Sequence, residues 1–361
     1  MAERSRTGAG IAVPERRNEQ GEISRESRSR DSFVDNAKFL AIALVVIGHA
    51  VEPLTEGSSM ATVLFISIYA FHMPAFVLMA GYLSRGFTAT PRQSRRVITT
   101  IVVPYLVFEV TFELFKAYFL DGASNEINVA DPSYAMWFLC TLFIWRLSAP
   151  LWRAMKPATA VVVAVAISVS SGVLALPETL DMYRTLGFLP FFVIGLVLPV
   201  ERYVALLHTV AVRAAAVLAF AGAVAVAYLL LRSYSLDWLY FTYGYASLGV
   251  GDVKGMLARS VILVGAFGLL TAFFALVPRR SVWFTSLGAG SLYVYLLHRY
   301  VIKGPEYTGL YDRVEWLHTP SGVAVTVLLG LVLTVVLASG PVRSLFRPLV
   351  EPRLDWLFRR G

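Results

Sequence analysis

The stretch VDNAKFLAIALVVIGHA, residues 34–50, is apolar enough to enter a bilayer, yet it opens with Asp35, Asn36 and Lys38 and carries His49 near its far end. On an α-helix Lys38 and His49 fall within about 20° of each other around the axis and about 16 Å apart along it. They share a face. Asp35 lies one turn before Lys38, within reach of an i, i+3 ion pair. Insertion scales charge about 2.5–3.5 kcal/mol for a Lys or Asp at mid-membrane, so this face is expected to look into protein and not into lipid. Asp35 and Lys38 also suit the interface, where a Lys side chain reaches back to the headgroups. His49 has no such outlet.

The rest of the chain repeats the apolar theme. Of 361 residues, 57% are hydrophobic and 16% charged, with a mean hydropathy of +0.64, far from the charged quarter of a soluble globular protein. Runs of about 20 apolar residues, the length that crosses a bilayer, recur near 33–53, 60–83, 97–119, 134–153, 157–176, 184–201, 207–231, 257–277, 283–303 and 321–341. The expected fold is all-α: a polytopic membrane protein of about ten transmembrane helices in one bundle. Connections alternate in charge. Arg85, Arg92, Arg95 and Arg96, then Arg153 and Lys156, then Arg279 and Arg280 occupy one set, while Glu52, Glu56, Asp131, Asp181, Asp237 and Asp252 occupy the other. The positive-inside rule therefore puts both termini in the cytoplasm, and it accounts for the net charge of +8 without nucleic acid as a partner.

Residues 1–31 lack the apolar core of a cleavable signal and read as a disordered cytoplasmic tail. The transmembrane domain is expected over 32–345 and a basic cytoplasmic tail over 346–361. The single cysteine, Cys140, allows no intrachain disulfide. The aromatic run DWLYFTYGYASLGVGD, starting at Asp237, is expected to fold back at the outer interface.

Two more histidines lie in apolar runs. His72 stands just before Pro74 in IYAFHMPAFVLMAGYLSR (68–85), where the proline removes a backbone donor and invites a kink; Ala80 and Gly81 permit close helix approach. His298 lies in LGAGSLYVYLLHRYVIK (287–303), one turn after Tyr295. Imidazole accepts and releases protons near neutrality, so three histidines inside spans point to acid–base chemistry within a membrane.

Taken together these segments resemble the acyltransferase 3 family of integral membrane O-acyltransferases, in its fucose 4-O-acetylase-like branch. The family's first span carries a basic residue, ten intervening positions and a histidine, here Lys38 to His49, with Lys where Arg is usual. FHMPAFVLMAGYL (71–83), YAMWFLCTLFIWRL (134–147), RTLGFLPFFVIGL (184–196) and SLYVYLLH (291–298) are similar to later family segments, with Ala80 where a serine is common.

The resemblance implies transfer of an acyl group, most often acetyl from acetyl-CoA, to a hydroxyl of a carbohydrate or cell-surface glycan, in a bacterial inner membrane. His49 is expected as the general base, with His72 and His298 at the reaction centre. Lys38, Arg85, Arg92, Arg95 and Arg96 are expected at the donor's phosphates, with Asp35 as the partner of Lys38 and Trp137 and Tyr295 on the substrate side. No metal is expected; the partners are the acyl-CoA donor, the glycan acceptor and membrane lipids. The aromatic residues Trp238, Tyr240, Phe241 and Tyr243 suit either sugar stacking or an interfacial belt. A polytopic transporter of a carbohydrate or proton-coupled solute would share the spans and the buried ionisable groups.

Overall fold

A computed structural model describes residues 16–120, 127–177, 179–231, 235–352, 354 and 356, with the backbone alone for 16–31 and 200–202. Of the expected terminal tails, residues 1–15, 353, 355 and 357–361 lie outside this set. The described residues form helices and turns and no strand. The helices are α1 (Arg16–Val51), α2 (Ser59–Tyr69), α3 (His72–Leu83), α4 (Pro91–Val97), α5 (Val103–Phe119), α6 (Trp137–Arg153), α7 (Pro157–Ser170), α8 (Met182–Gly187), α9 (Leu189–Val197), α10 (Val200–Leu206), α11 (Val210–Leu230), α12 (Asp237–Tyr240), α13 (Asp252–Leu276), α14 (Ser291–Tyr307), α15 (Leu310–Arg313), α16 (Pro320–Leu337) and α17 (Gly340–Val350).

Helix occupies each of the ten apolar stretches. Among the described residues seven segments are long and apolar enough to cross a membrane: Ser32–Leu54, Ser59–Leu83, Pro91–Phe119, Tyr134–Arg153, Val210–Leu230, Asp252–Leu276 and Pro320–Leu337. An eighth, Thr179–Gly187 with Leu189–Val197, bends by 60° where Pro190 enters the chain. The remaining two are the shorter Pro157–Val173 and α14, which carries His298, Arg299 and Lys303 and so falls short in length and apolarity. The run expected from 283 begins instead as a 3-10 segment, Thr285–Gly290, and turns α-helical only at Ser291. The aromatic connection holds the single turn of α12, which is too short to form a span.

Three features place the site. The first span is central: α1 packs against α2, α3, α14 and α16, and Ala37, Ala41, Ile42, Val46 and Val51 on it are almost wholly buried. The second span breaks at Ala70–Phe71, just ahead of Pro74, whose missing N–H cannot extend the α2 ladder. At the break the carbonyl of Ile68 accepts from the Phe71 N–H at 3.2 Å, and the His72 side chain bonds to the same oxygen. Finally, α3 and α9 touch backbone to backbone. A Cβ added to Gly81 would stand 2.0 Å from the Phe192 carbonyl oxygen, and one added to Gly195 would stand 2.0 Å from that of Leu78. This is the close approach that small residues permit where lipid supplies no hydrophobic drive.

Candidate active site

Two cavities hold residues expected at the site. One, of about 130 Å³, is lined by His49, Glu52, Tyr69, His72, Met73, Tyr134, Trp137, Arg184, Phe188, Leu239 and Tyr240. The other, of about 730 Å³, draws its lining from the basic side, including Arg96, Arg146, Thr99, Thr100 and Tyr293. On α1 itself, Ile42, Val45 and Val46 are buried in apolar core.

His49 is the centre of the smaller cavity. The α-helix ends at Val51 and continues as a 3-10 turn over Glu52–Leu54, which brings Glu52 onto the same face, with Oε2 3.2 Å from His49 Nδ1. An ionised carboxylate only accepts, so this bond requires the proton on Nδ1 and leaves the lone pair on Nε2. The Tyr69 hydroxyl lies 3.0 Å from the same Nδ1. Tyr240 donates its hydroxyl to Glu52 Oε1 at 3.2 Å. Burial, reinforced by the Glu52 charge, pushes the Tyr240 hydroxyl above its ordinary range, so it remains a donor. The carboxylate is thus held from both sides, one oxygen on the imidazole and one on the aromatic loop.

The other two histidines are fixed in the same tautomer by helical geometry. His72 Nδ1 donates to the Ile68 carbonyl at 2.8 Å and His298 Nδ1 to that of Val294 at 3.0 Å, which leaves Nε2 as the acceptor in each. His72 lines the cavity. His298 is fully buried behind it, its ring stacked on that of His49 with centroids 5.4 Å apart, and its Nε2 has no partner among the described residues. Tyr134 lies with its ring 4.6 Å from that of His49 and its buried hydroxyl unpartnered. Lys303 stands over the Tyr134 ring and pairs with Glu306.

Trp137 walls the cavity, stacked on Phe188 at 5.4 Å, with the Arg184 guanidinium 5.1 Å above its ring. Arg184 pairs with Asp181 at 2.7 Å and donates from Nε to the carbonyl of Tyr240 at 3.2 Å, tying the aromatic loop to α8. Tyr295 is set back from this wall; its buried hydroxyl donates to the carbonyl of Ala135.

The residues expected at the donor separate. Lys38 pairs with Asp35 at 2.6 Å. Arg96 lines the large cavity, and so does Arg146, which donates from Nε to Ser84 Oγ at 3.3 Å. Arg85 donates to the carbonyl of Gly195 at 3.1 Å and lies over the Tyr82 ring, pinning the end of α3 to α9. Arg92 is exposed at the start of α4, and Arg95 is half-buried on its next turn. Among the described residues no group of three His, Cys, Asp or Glu side chains is arranged to hold a metal ion.

The smaller cavity brings together His49, His72 and Trp137 of the residues expected from sequence and adds Glu52, Tyr134 and Arg184, which the sequence does not single out as site residues; Arg146 joins Arg96 in the larger one. The i, i+3 spacing from His49 was the available signal for Glu52.

The sequence profile of a protein family described as an acyltransferase domain matches residues 31–336. Nodulation protein NolL of Mesorhizobium japonicum is 41% identical over 70 residues, covering 19% of each chain. Nodulation protein NolL of Sinorhizobium fredii is 28% identical over 190 residues, covering 49% of this chain and 51% of the relative. The chain thus spans about half the length of one curated relative and about a fifth of the other. No solved structure matches.

Proposed function

The chain belongs to the acyltransferase 3 family, and from that premise we propose that it moves an acetyl group from acetyl-CoA to a hydroxyl of a carbohydrate or cell-surface glycan at the bacterial plasma membrane. The observation that carries this reading is His49, with Nδ1 on Glu52 and the lone pair therefore on Nε2, in a cavity that also offers an aromatic wall. A sugar hydroxyl attacks a thioester poorly until a base takes its proton, a contribution of about 10²–10⁴-fold. Here Nε2 of His49 takes the proton as the hydroxyl oxygen bonds to the acetyl carbonyl carbon. The Tyr134 hydroxyl, buried without a partner, donates to the oxyanion that develops. Collapse of the tetrahedral intermediate breaks the carbon–sulfur bond, and the leaving CoA thiolate recovers the proton from His49. Glu52 keeps the proton of Nδ1 in place and balances the transient imidazolium.

The remaining groups have matching parts. His72 offers an unprotonated Nε2 to a second hydroxyl of the acceptor, and Trp137 supplies a flat apolar face suited to a sugar ring. The small volume of this cavity favours a two-carbon acyl group. The arginine-lined cavity at the basic end, Arg96 with Arg146, suits the phosphates of a cytoplasmic CoA, with both termini on that side. The acetyl-bearing arm then crosses the buried core to reach His49.

The test is transfer itself. Purified protein in lipid nanodiscs, supplied with radiolabelled acetyl-CoA and candidate glycans, is expected to place label on an acceptor hydroxyl, and His49→Ala is expected to abolish it while eluting as the same folded species. Undiminished transfer by His49→Ala would reject the assignment of the base. Movement of a sugar across the membrane with no acylated product would reject the enzyme.

A further inference from the structure

A second buried polar group lies beside the reaction centre and takes no part in the chemistry. Arg299 on α14 and Glu109 on α5 are 0% and 1% exposed, in helices where uncompensated charge is costly. Their nearest atoms, Nη1 and Oε2, are 4.0 Å apart, too far for a hydrogen bond. Ser133 joins them. Its Oγ accepts from Arg299 Nη2 at 2.9 Å, and its backbone N–H donates to Glu109 Oε1 at 2.7 Å. The Phe112 ring lies 3.5 Å from the guanidinium carbon and completes the seat. Three separate segments, α5, α14 and the turn before α6, meet at one ion pair.

Each of two anchored residues has a wall of the reaction centre as its chain neighbour. Tyr134 follows Ser133 with its backbone in the left-handed region, φ +49°, a conformation that a non-glycine residue keeps only where its surroundings impose it. Its ring lies 4.6 Å from that of His49. His298 precedes Arg299, and its ring lies 5.4 Å from the same imidazole. We propose that Arg299 is a positioning residue: through Ser133 and Glu109 it locks Tyr134 and His298 against His49 and so fixes the direction in which Nε2 points. This rests on the reading of His49 as the base.

The geometry makes a demand that a plain structural strut does not. A strut acts on the folded fraction. A clamp on the base acts on the rate at saturation, because misplacement by about 1 Å costs on the order of a hundredfold in rate, while the donor's affinity, set at the other cavity, stays put.

The experiment uses native membrane vesicles, which hold the full-length protein and its endogenous glycans, with radiolabelled acetyl-CoA as the varied substrate. Arg299→Met is expected to lower kcat on the order of a hundredfold with the donor KM within about twofold, and Arg299→Lys, which keeps the charge and one bond to Ser133, to recover part of that loss. The double variant Arg299→Met with Glu109→Leu removes both buried charges, a change that apolar packing tolerates well; it is expected to restore thermal stability without restoring kcat. A double variant with wild-type kcat would overturn the proposal, since the pair would then serve folding alone. A parallel rise in donor KM would overturn it as well. His49→Ala in the same vesicles separates the two readings: transfer that survives it removes the base, whereas transfer lost there but intact in the double variant removes only the clamp.

Discussion

Glu52 Oε2 lies 3.2 Å from His49 Nδ1, one turn further along the same face of the first span. The pair sits at the end of a helix whose ladder stops at Val51, so the carboxylate is set by the 3-10 turn as well as by its own side chain. Its second oxygen is occupied by Tyr240. In the proposed reaction, a base held this way starts each cycle in the tautomer that proton transfer requires.

Replacing Glu52 therefore tests orientation and charge separately. Glu52→Gln keeps an acceptor oxygen but loses the charge that balances an imidazolium, and a fall in kcat on the order of a hundredfold is expected. Glu52→Ala removes both and should fall further, toward the rate of His49→Ala. Steady-state transfer kinetics on the two variants would read this. Equal, small losses in both would mean that His49 works without a carboxylate partner.

Tyr134 is argued to donate to the oxyanion because its hydroxyl is buried at the cavity with no other partner. Tyr134→Phe keeps the ring against His49 and removes one donor. The expected outcome is a kcat lower by about 10²-fold, the usual cost of one oxyanion donor, with the donor KM unchanged. If donor KM rises instead and kcat holds, the hydroxyl contacts the bound substrate and not the developing charge.

The same contrast explains what the sequence disclosed. Spans were legible because a bilayer demands long apolar runs, and Lys38, His49 and His72 stood out as polar exceptions within them. Their neighbours did not. Tyr134 and Arg299 reach the centre through contacts made 85 and 250 positions from His49 along the chain, which no periodicity encodes. Proximity in sequence does not decide which charges share a cavity: Arg85, Arg92, Arg95 and Arg96 sit close together in sequence, yet Arg85 turns to the carbonyl of Gly195 while Arg146, a helix away, shares the cavity with Arg96. Glu52 was the one omission with a local signal, lost because an acid at the end of a span reads first as a topology marker.

Gly81 and Gly195 define how close α3 and α9 come. Each Cβ would be driven to within 2.0 Å of a backbone oxygen on the other helix, which no side-chain rotation relieves. Gly81→Ala and Gly195→Ala are each expected to cost about 1–3 kcal/mol, the range for overpacking a filled contact, seen as a lowered Tm in detergent. Gly86→Ala, with nothing within 4 Å of its Cβ position, serves as the control. An unchanged Tm in Gly81→Ala would mean that the two helices are free to separate.

Arg146 offers the sharpest test of where the donor sits. Its guanidinium is held by a single neutral acceptor, Ser84 Oγ at 3.3 Å, beside Arg96 in the cavity of about 730 Å³. A charge-assisted bond to a phosphate contributes about 1.5–3 kcal/mol, so Arg146→Gln is expected to raise the donor KM roughly tenfold or more and leave kcat near wild type. Arg85→Gln should do the reverse of a binding mutation: its side chain braces α3 on α9, so Tm should drop while the donor KM stays fixed. Free CoA as a competitor sharpens the distinction, because its inhibition constant should weaken in Arg146→Gln in step with KM. If KM and CoA inhibition both stay at wild-type values in Arg146→Gln, the phosphates bind elsewhere, and the basic end of the bundle serves topology alone.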